Sequence, residues 1–198
     1  MKRKHLLAIF LTIIVIAFAL VYWLWPNNEK LLVLDELKPV ALQNVHGGEY
    51  DFKSGKVKLV TFFYTNCPDI CPLTMADFKD LQAELKKDEI FGSKVELVAI
   101  SLDPEQDTPS VVKKYAESFG ADSSGWKWLR GSLKDTKKIA DDLKMQYKKG
   151  EGNFLSHSTT MYLIDENNKI RALYDMAYSE EPIDKRKILS DIQYLVNQ

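Results

Sequence analysis

The 198-residue sequence predicts an α/β sandwich, a central mixed sheet with helices on both faces, preceded by one membrane-spanning helix. Three observations predict it. Residues 6–25 form an unbroken apolar run. The remainder alternates short β-branched or aromatic runs with segments of helical period, the pattern of a layered α/β domain. The chain beyond the run, about 170 residues, suffices for one domain with its own core.

The apolar run carries no charge, and Thr12 is its only residue outside the hydrophobic set. Twenty helical residues span about 30 Å, one bilayer core. Lys2, Arg3 and Lys4 precede it, and Tyr22, Trp23 and Trp25 close it. Basic flanks stay in the cytoplasm and aromatic rings favour the headgroup region. This predicts a cytoplasmic stretch at 1–5, an anchor at 6–25, a linker at 26–38 and an extracytoplasmic domain at 39–198, on a bacterial cell membrane. "AFA" at 17–19 also matches a signal-peptide cleavage site, but large apolar residues continue through Trp25 where a cleavage region turns polar. Beyond the anchor, acidic residues outnumber basic ones by four. That balance argues against nucleic-acid binding, which needs a basic face.

Each element of the domain follows from local pattern. "VALQNVHGGEYDF" places Gly47 and Gly48 between two short apolar pieces, a hairpin signal. "KVKLVTFFYT" (56–65) is an apolar and β-branched run, as a buried central strand requires, and "KVELVAISL" (94–102) reads as a second buried strand. Residues 72–88 repeat apolar positions at helical spacing. Residues 108–120 form a helix with Thr108 as N-cap, Pro109 at its first position and Gly120 as stop. "WKWLRG" reads as a short strand with both tryptophans in the core, and 135–145 as a short helix. Residues 158–175 are two strands around an Asn167-Asn168 turn, and a helix closes the chain.

The order is hairpin, β-α-β-α, short strand and helix, β-hairpin, α. It matches a thioredoxin-like fold, whose site lies where the first core strand meets its helix. Here that junction is "TNCPDIC", holding the only two cysteines, Cys67 and Cys71. A helix N-terminus favours thiolate over thiol, so both cysteines are expected to be acidified. Pro72 is expected at the first helical position and Pro68 stiffens the loop. Three chemistries remain open: a structural disulfide, a redox couple or a metal site. A domain of this size needs no staple, and a bridge across so short a loop restrains the unfolded chain little. Two thiolates suit Cu(I), with histidine as a natural third ligand. His5 flanks the anchor and His46 sits in the hairpin turn. His157, just before a strand beside the core strands, is favoured. Asp69, Asp103 and Asp107 fit turn or cap positions equally well as functional ones.

The residues resemble one family, the Sco/SenC proteins, which help assemble the copper centre of cytochrome c oxidase. "FFYTNCPDICPLTM" resembles its C-P-x-x-C-P signature, "SLDPEQDTPSVVKKYA" its D-P-x-x-D-T-P segment and "SHSTTMYLID" its histidine strand. The resemblance implies copper, as Cu(I) or Cu(II), bound by Cys67, Cys71 and His157. It implies a supporting or docking role for Asp69, Asp103 and Asp107. The implied partner is the CuA domain of oxidase subunit II, with a second copper chaperone or a thiol reductase upstream. Many members carry Asp before the histidine, where this chain has Ser156. Two functions follow: a metallochaperone delivering copper, or a thiol–disulfide oxidoreductase keeping the CuA-site cysteines reduced. A peroxide-reducing thiol enzyme fits less well, because Thr65 precedes Cys67 without the proline such sites use. A copper or redox sensor is a further reading.

Overall fold

The computed structural model describes residues 2–24, 31–38, 40–150, 154–178 and 181–198. The chain divides into two units, Met1–Lys30 and Leu31–Gln198. The first contains helix α1 (Lys2–Leu24). Among the described residues no helix is long and apolar enough to cross a membrane. The last residue of the expected anchor and the first part of the expected linker, residues 25–30, lie outside the described residues.

The second unit is built on a seven-stranded sheet, ordered β1 (Asp35–Glu36), β9 (Lys169–Asp175), β8 (Thr160–Ile164), β3 (Val57–Phe63), β4 (Val95–Ser101), β5 (Trp126–Arg130) and β2 (Gln43–Asn44). Strands β3 (Val57–Phe63) and β4 (Val95–Ser101) are buried along their whole lengths. They pair in parallel, and β4 pairs in parallel with β5 (Trp126–Arg130). Parallel strands covered on both faces need continuous apolar runs, which explains why these segments do not alternate. Lys58 is the charged residue of β3, and its buried ammonium donates to the Lys56 carbonyl at 2.8 Å and to Asn168 Oδ1 at 3.2 Å. On the other side of β3, β8 (Thr160–Ile164) and β9 (Lys169–Asp175) run antiparallel around a turn in which Asn168 takes φ 61°.

Helices cover both faces. Phe78 of α2 (Ile70–Lys87) packs on Trp126, and Tyr115 of α3 (Pro109–Ser118) packs on Trp128. Helix α5 (Lys185–Val196) lies beside α2. On the opposite face, Leu143 at the end of α4 (Leu133–Asp142) lines a small cavity with Tyr162 and Leu173. Phe62 and Phe63 turn to opposite faces, toward Tyr162 and Trp128 respectively. This mixed sheet between helices is the expected thioredoxin-like arrangement.

Several boundaries differ from expectation. Helix α2 begins at Ile70, so Cys71 lies inside its first turn and Pro72 is its third residue. The first-turn amides have no intrahelical partner, so proline is tolerated at that third place too. Helix α4 starts earlier because Ser132 and Asp135 form a reciprocal capping box. The expected N-terminal hairpin turns at Gly47 and Gly48, both at positive φ, but its own ladder is a single bridge, Gln43 to Glu49. Its first strand, β2 (Gln43–Asn44), instead pairs with β5 at the sheet edge. Residues 31–38 of the expected linker contribute β1 (Asp35–Glu36), paired with β9, and the fully buried Leu37. A separate two-stranded sheet of β6 (Tyr147–Lys149) and β7 (Leu155–His157) was not foreseen.

Candidate metal centre

The site forms where β3 leaves the sheet. Tyr64 continues the strand, and Thr65 turns the chain toward Cys67. That turn is held from below by Asp107, which is fully buried. Asp107 Oδ1 accepts the Thr65 N–H at 3.1 Å and the Thr65 hydroxyl, while Oδ2 accepts the Ser101 hydroxyl. Arg130 fixes the segment carrying Asp107, donating to the carbonyls of Asp107 at 3.0 Å and Pro104 at 2.9 Å.

Helix α2 then presents Cys71. Its backbone N–H, one of the unpaired amides of the first turn, points at Cys67 Sγ at 3.5 Å. Cys71 is fully buried and Cys67 half-buried, and both thiols are free. The third side chain arrives from β7. His157 Nε2 lies 3.9 Å from Cys71 Sγ. The ligand atoms of Cys67, Cys71 and His157 all fall within 4.8 Å of one another, the one group of its kind among the described residues.

The imidazole is oriented from outside. His157 Nδ1 lies 2.8 Å from the Ser158 carbonyl. A carbonyl only accepts, so Nδ1–H donates, and Nε2 is left facing the sulfurs. Tyr64 packs edge-on to the ring, with centroids 6.0 Å apart. Two sulfurs and one imidazole nitrogen suit soft or borderline transition metals and disfavour hard cations.

The two thiols are unequal, which corrects the expectation that both are acidified. A bond from the Cys71 thiol, aided by the imidazole and the Asp69 and Cys71 amides, outweighs burial and brings Cys67 down to about 3. Cys71 moves the opposite way, pushed up because its proton is held against Cys67 and its site is buried. Two adjacent sulfurs share one proton, and the buried one retains it.

The other predicted residues fall in distinct places. Asp69 is exposed at the N-cap of α2 and makes no side-chain capping bond. Asp103 is buried, its Oδ1 at 3.4 Å from Lys149 Nζ on β6 and its Oδ2 without a partner. Asp107 sits behind the cysteine loop, and burial raises its carboxyl. His46 is exposed in its turn, bonded through its backbone to Asn44 Oδ1, and is no part of the cluster. His5 lies in α1. Sequence reasoning missed Tyr64. Its signal was the aromatic residue at the end of a buried strand, three positions before the first cysteine.

A family model described as SCO1/SenC matches residues 41–193. The SCO1 protein homolog of Bacillus subtilis (strain 168) is 32% identical over 163 residues, covering 80% of this chain and 81% of that protein. Arabidopsis thaliana ScoI with copper bound is similar in structure, with TM-score 0.67 and 27% identity over 79% of this chain and 98% of that one. So is BsSco, described as having a disulfide switch and as a member of the Sco family of cytochrome c oxidase assembly proteins. Its TM-score is 0.71 with 31% identity over 82% of this chain and 95% of that one. The matched residues include both cysteines and His157, and the chain belongs to the SCO1/SenC family.

Proposed function

We propose that this chain is a copper-binding assembly factor for cytochrome c oxidase, held at the cell membrane by residues 6–25 with its C-terminal domain outside the cytoplasm. Copper is its cargo, received from a copper donor and handed to the CuA site of oxidase subunit II. The observation that carries this reading is the convergence of Cys67, Cys71 and His157 within 4.8 Å. Their donor set matches copper's preference for sulfur and imidazole. Family membership and the copper-bound relative support the choice of metal. The charge-free run behind a basic flank supports the anchor.

The residues divide the work by exposure. Buried Cys71 is the ligand furthest from a partner. Half-exposed Cys67 and His157 are the ones an acceptor's own ligands reach first and displace. Exposed Asp69 stands on the rim, where a partner docks. Buried Asp103 and Asp107 act from behind the loop.

A second reading rests on the inequality of the thiols. Cys67, half-exposed and acidified, suits attack on a partner disulfide, forming a mixed disulfide and releasing one partner thiolate. Cys71 then attacks Cys67, and the second partner thiol leaves reduced. An S–S bond requires the sulfurs to close to about 2.05 Å.

The test is copper titration of the reduced full-length protein in detergent, beside Cys67→Ser, Cys71→Ser and His157→Ala. One copper per chain, lost in all three variants, with sulfur-to-Cu(II) charge transfer, is expected. Binding indifferent to His157 overturns the chaperone reading and leaves the dithiol as a reductant.

A further inference from the structure

His157 and the two cysteines are carried by different parts of the fold. The cysteines belong to the junction of β3 and α2. His157 belongs to the arm of β6 and β7, where Tyr147 faces His157 and Lys149 faces Leu155. Among the described residues this arm shares no ladder with the main sheet. Leu155, 3% exposed, seats it in the core, but an apolar contact is non-directional. A directional link comes from β6. Lys149 Nζ lies 3.4 Å from Asp103 Oδ1 and 3.3 Å from Glu105 Oε2, and these are the arm's ion pairs among the described residues.

The two carboxylates stand on the loop that also braces the cysteines. The Asp103 carbonyl accepts the N–H of Asp107 at 2.8 Å and of Gln106 at 3.1 Å, so one tight turn carries both aspartates. From that turn Asp107 reaches Thr65, while Asp103 reaches the arm. Asp103 is 3% exposed and its Oδ2 has no partner, and Lys149 is the cation paired with it. A buried carboxylate deprived of its cation is costly, which holds the ammonium, and β6 with it, at this place.

We propose that Lys149 is a positioning residue of this centre: its ammonium, held by Asp103 and Glu105, fixes the arm so that the His157 imidazole is set at its distance from the sulfurs. The segment "DPEQD" (103–107) thereby braces both halves of the site, one aspartate for each.

The test uses full-length reduced protein in detergent, with Lys149→Met, which keeps the stem and loses the charge, and Lys149→Arg, which restores it. The first readout needs no copper. In metal-free protein, nuclear Overhauser contacts between the rings of Tyr64 and His157, whose centroids lie 6.0 Å apart, are expected to weaken in Lys149→Met and to persist in Lys149→Arg. The second readout is copper affinity by competition with a chelator. A loss of about fivefold is expected in Lys149→Met, the scale of a half-exposed pair, with Lys149→Arg within about twofold of wild type. That loss is expected to vanish when Lys149→Met is made in a background of Asp103→Asn and Glu105→Gln, where no carboxylate remains to hold the ammonium. Unchanged ring contacts in Lys149→Met overturn the proposal, and so does a loss that persists in that background. The inference rests on the copper reading only in its second readout. Wild-type protein that binds no copper sinks that reading, while the ring contacts still decide for or against Lys149.

Discussion

His157 Nε2 stands 3.9 Å from Cys71 Sγ, although 86 positions of sequence separate the two residues. The pairing is made by topology: β8 lies next to β3, so the residue just before β8 meets the residues just after β3. A ligand on the short β7 arm and two on a fixed helix–loop junction make a site whose parts can be tested separately.

Loss of the imidazole separates the two functions. In His157→Ala, copper affinity is expected to fall by more than ~100-fold, beyond the usual loss from disturbing a ligand's outer partner. Thiol–disulfide exchange with dithiothreitol needs only the sulfurs and is expected to stay within ~threefold of wild type. Competition with a chelator measures the first and quenched-flow alkylation the second. Loss of both activities shows that His157 supports the dithiol itself.

The inequality of the thiols predicts an unusual pH profile. With Cys67 down to about 3, its thiolate persists in mildly acidic solution. Alkylation of the reduced protein by iodoacetamide is expected to be nearly flat from pH ~8 to ~5, where an ordinary thiol slows about tenfold per unit. Peptide mapping should find the label on Cys67, because Cys71 is buried and protonated. The linkage has a definite sign. The folded value lies below the ordinary 9.0, so in that interval the unfolded chain holds a proton that Cys67 has lost. The Cys67 contribution to stability of the reduced form therefore rises with pH across this interval and is lost toward pH 3. Urea midpoints of reduced and oxidised protein measure it.

Asp107 is the anchor of the cysteine loop. Asp107→Asn brings an amide N–H₂ against a shell made of three donors from Thr65 and Ser101. A buried donor left unpaired costs about 1–3 kcal/mol, so a destabilisation of about 2 kcal/mol is expected in urea unfolding. A change below ~0.5 kcal/mol shows that the loop is held elsewhere.

The resemblance leads to an expectation of Asp before the histidine, where this chain has Ser156, and the structure gives the ring another outer partner. The outer partner of the imidazole is the Ser158 carbonyl, at 2.8 Å, and not the side chain at 156. Ser156→Asp is accordingly expected to leave copper affinity within ~threefold of wild type, short of the 10–100-fold that loss of an outer partner produces. A gain beyond tenfold shows that a carboxylate there reaches the ring.

Much of the fold was legible because local chemistry and global fold agree. The runs at β3 and β4 are mostly apolar and buried along their whole lengths, as doubly covered parallel strands require, with Lys58 and Glu96 the charged exceptions. Thr108 caps α3 as its sequence signal suggests, its hydroxyl 3.4 Å from the Val111 N–H. What stayed hidden was short and held by partners distant in sequence. Strand β1 has two residues and exists because β9 offers an edge. The β6–β7 arm pairs Tyr147 with His157 between strands of only three residues each, too short for a period to show, although Gly150, Gly152 and Asn153 between them are turn residues.

The sequence by itself determined the apolar N-terminal run, the α/β order, and the placing of two cysteines at a strand–helix junction. Each depends on residue type and spacing within one segment, where hydrophobic period and capping act. Only the tertiary structure decided that His157 and not His46 joins them, that Cys67 and not Cys71 carries the charge, and that Asp107 holds the loop. Those outcomes depend on burial and on distances of a few ångströms between segments remote in the chain, and such distances exist only once the sheet has formed.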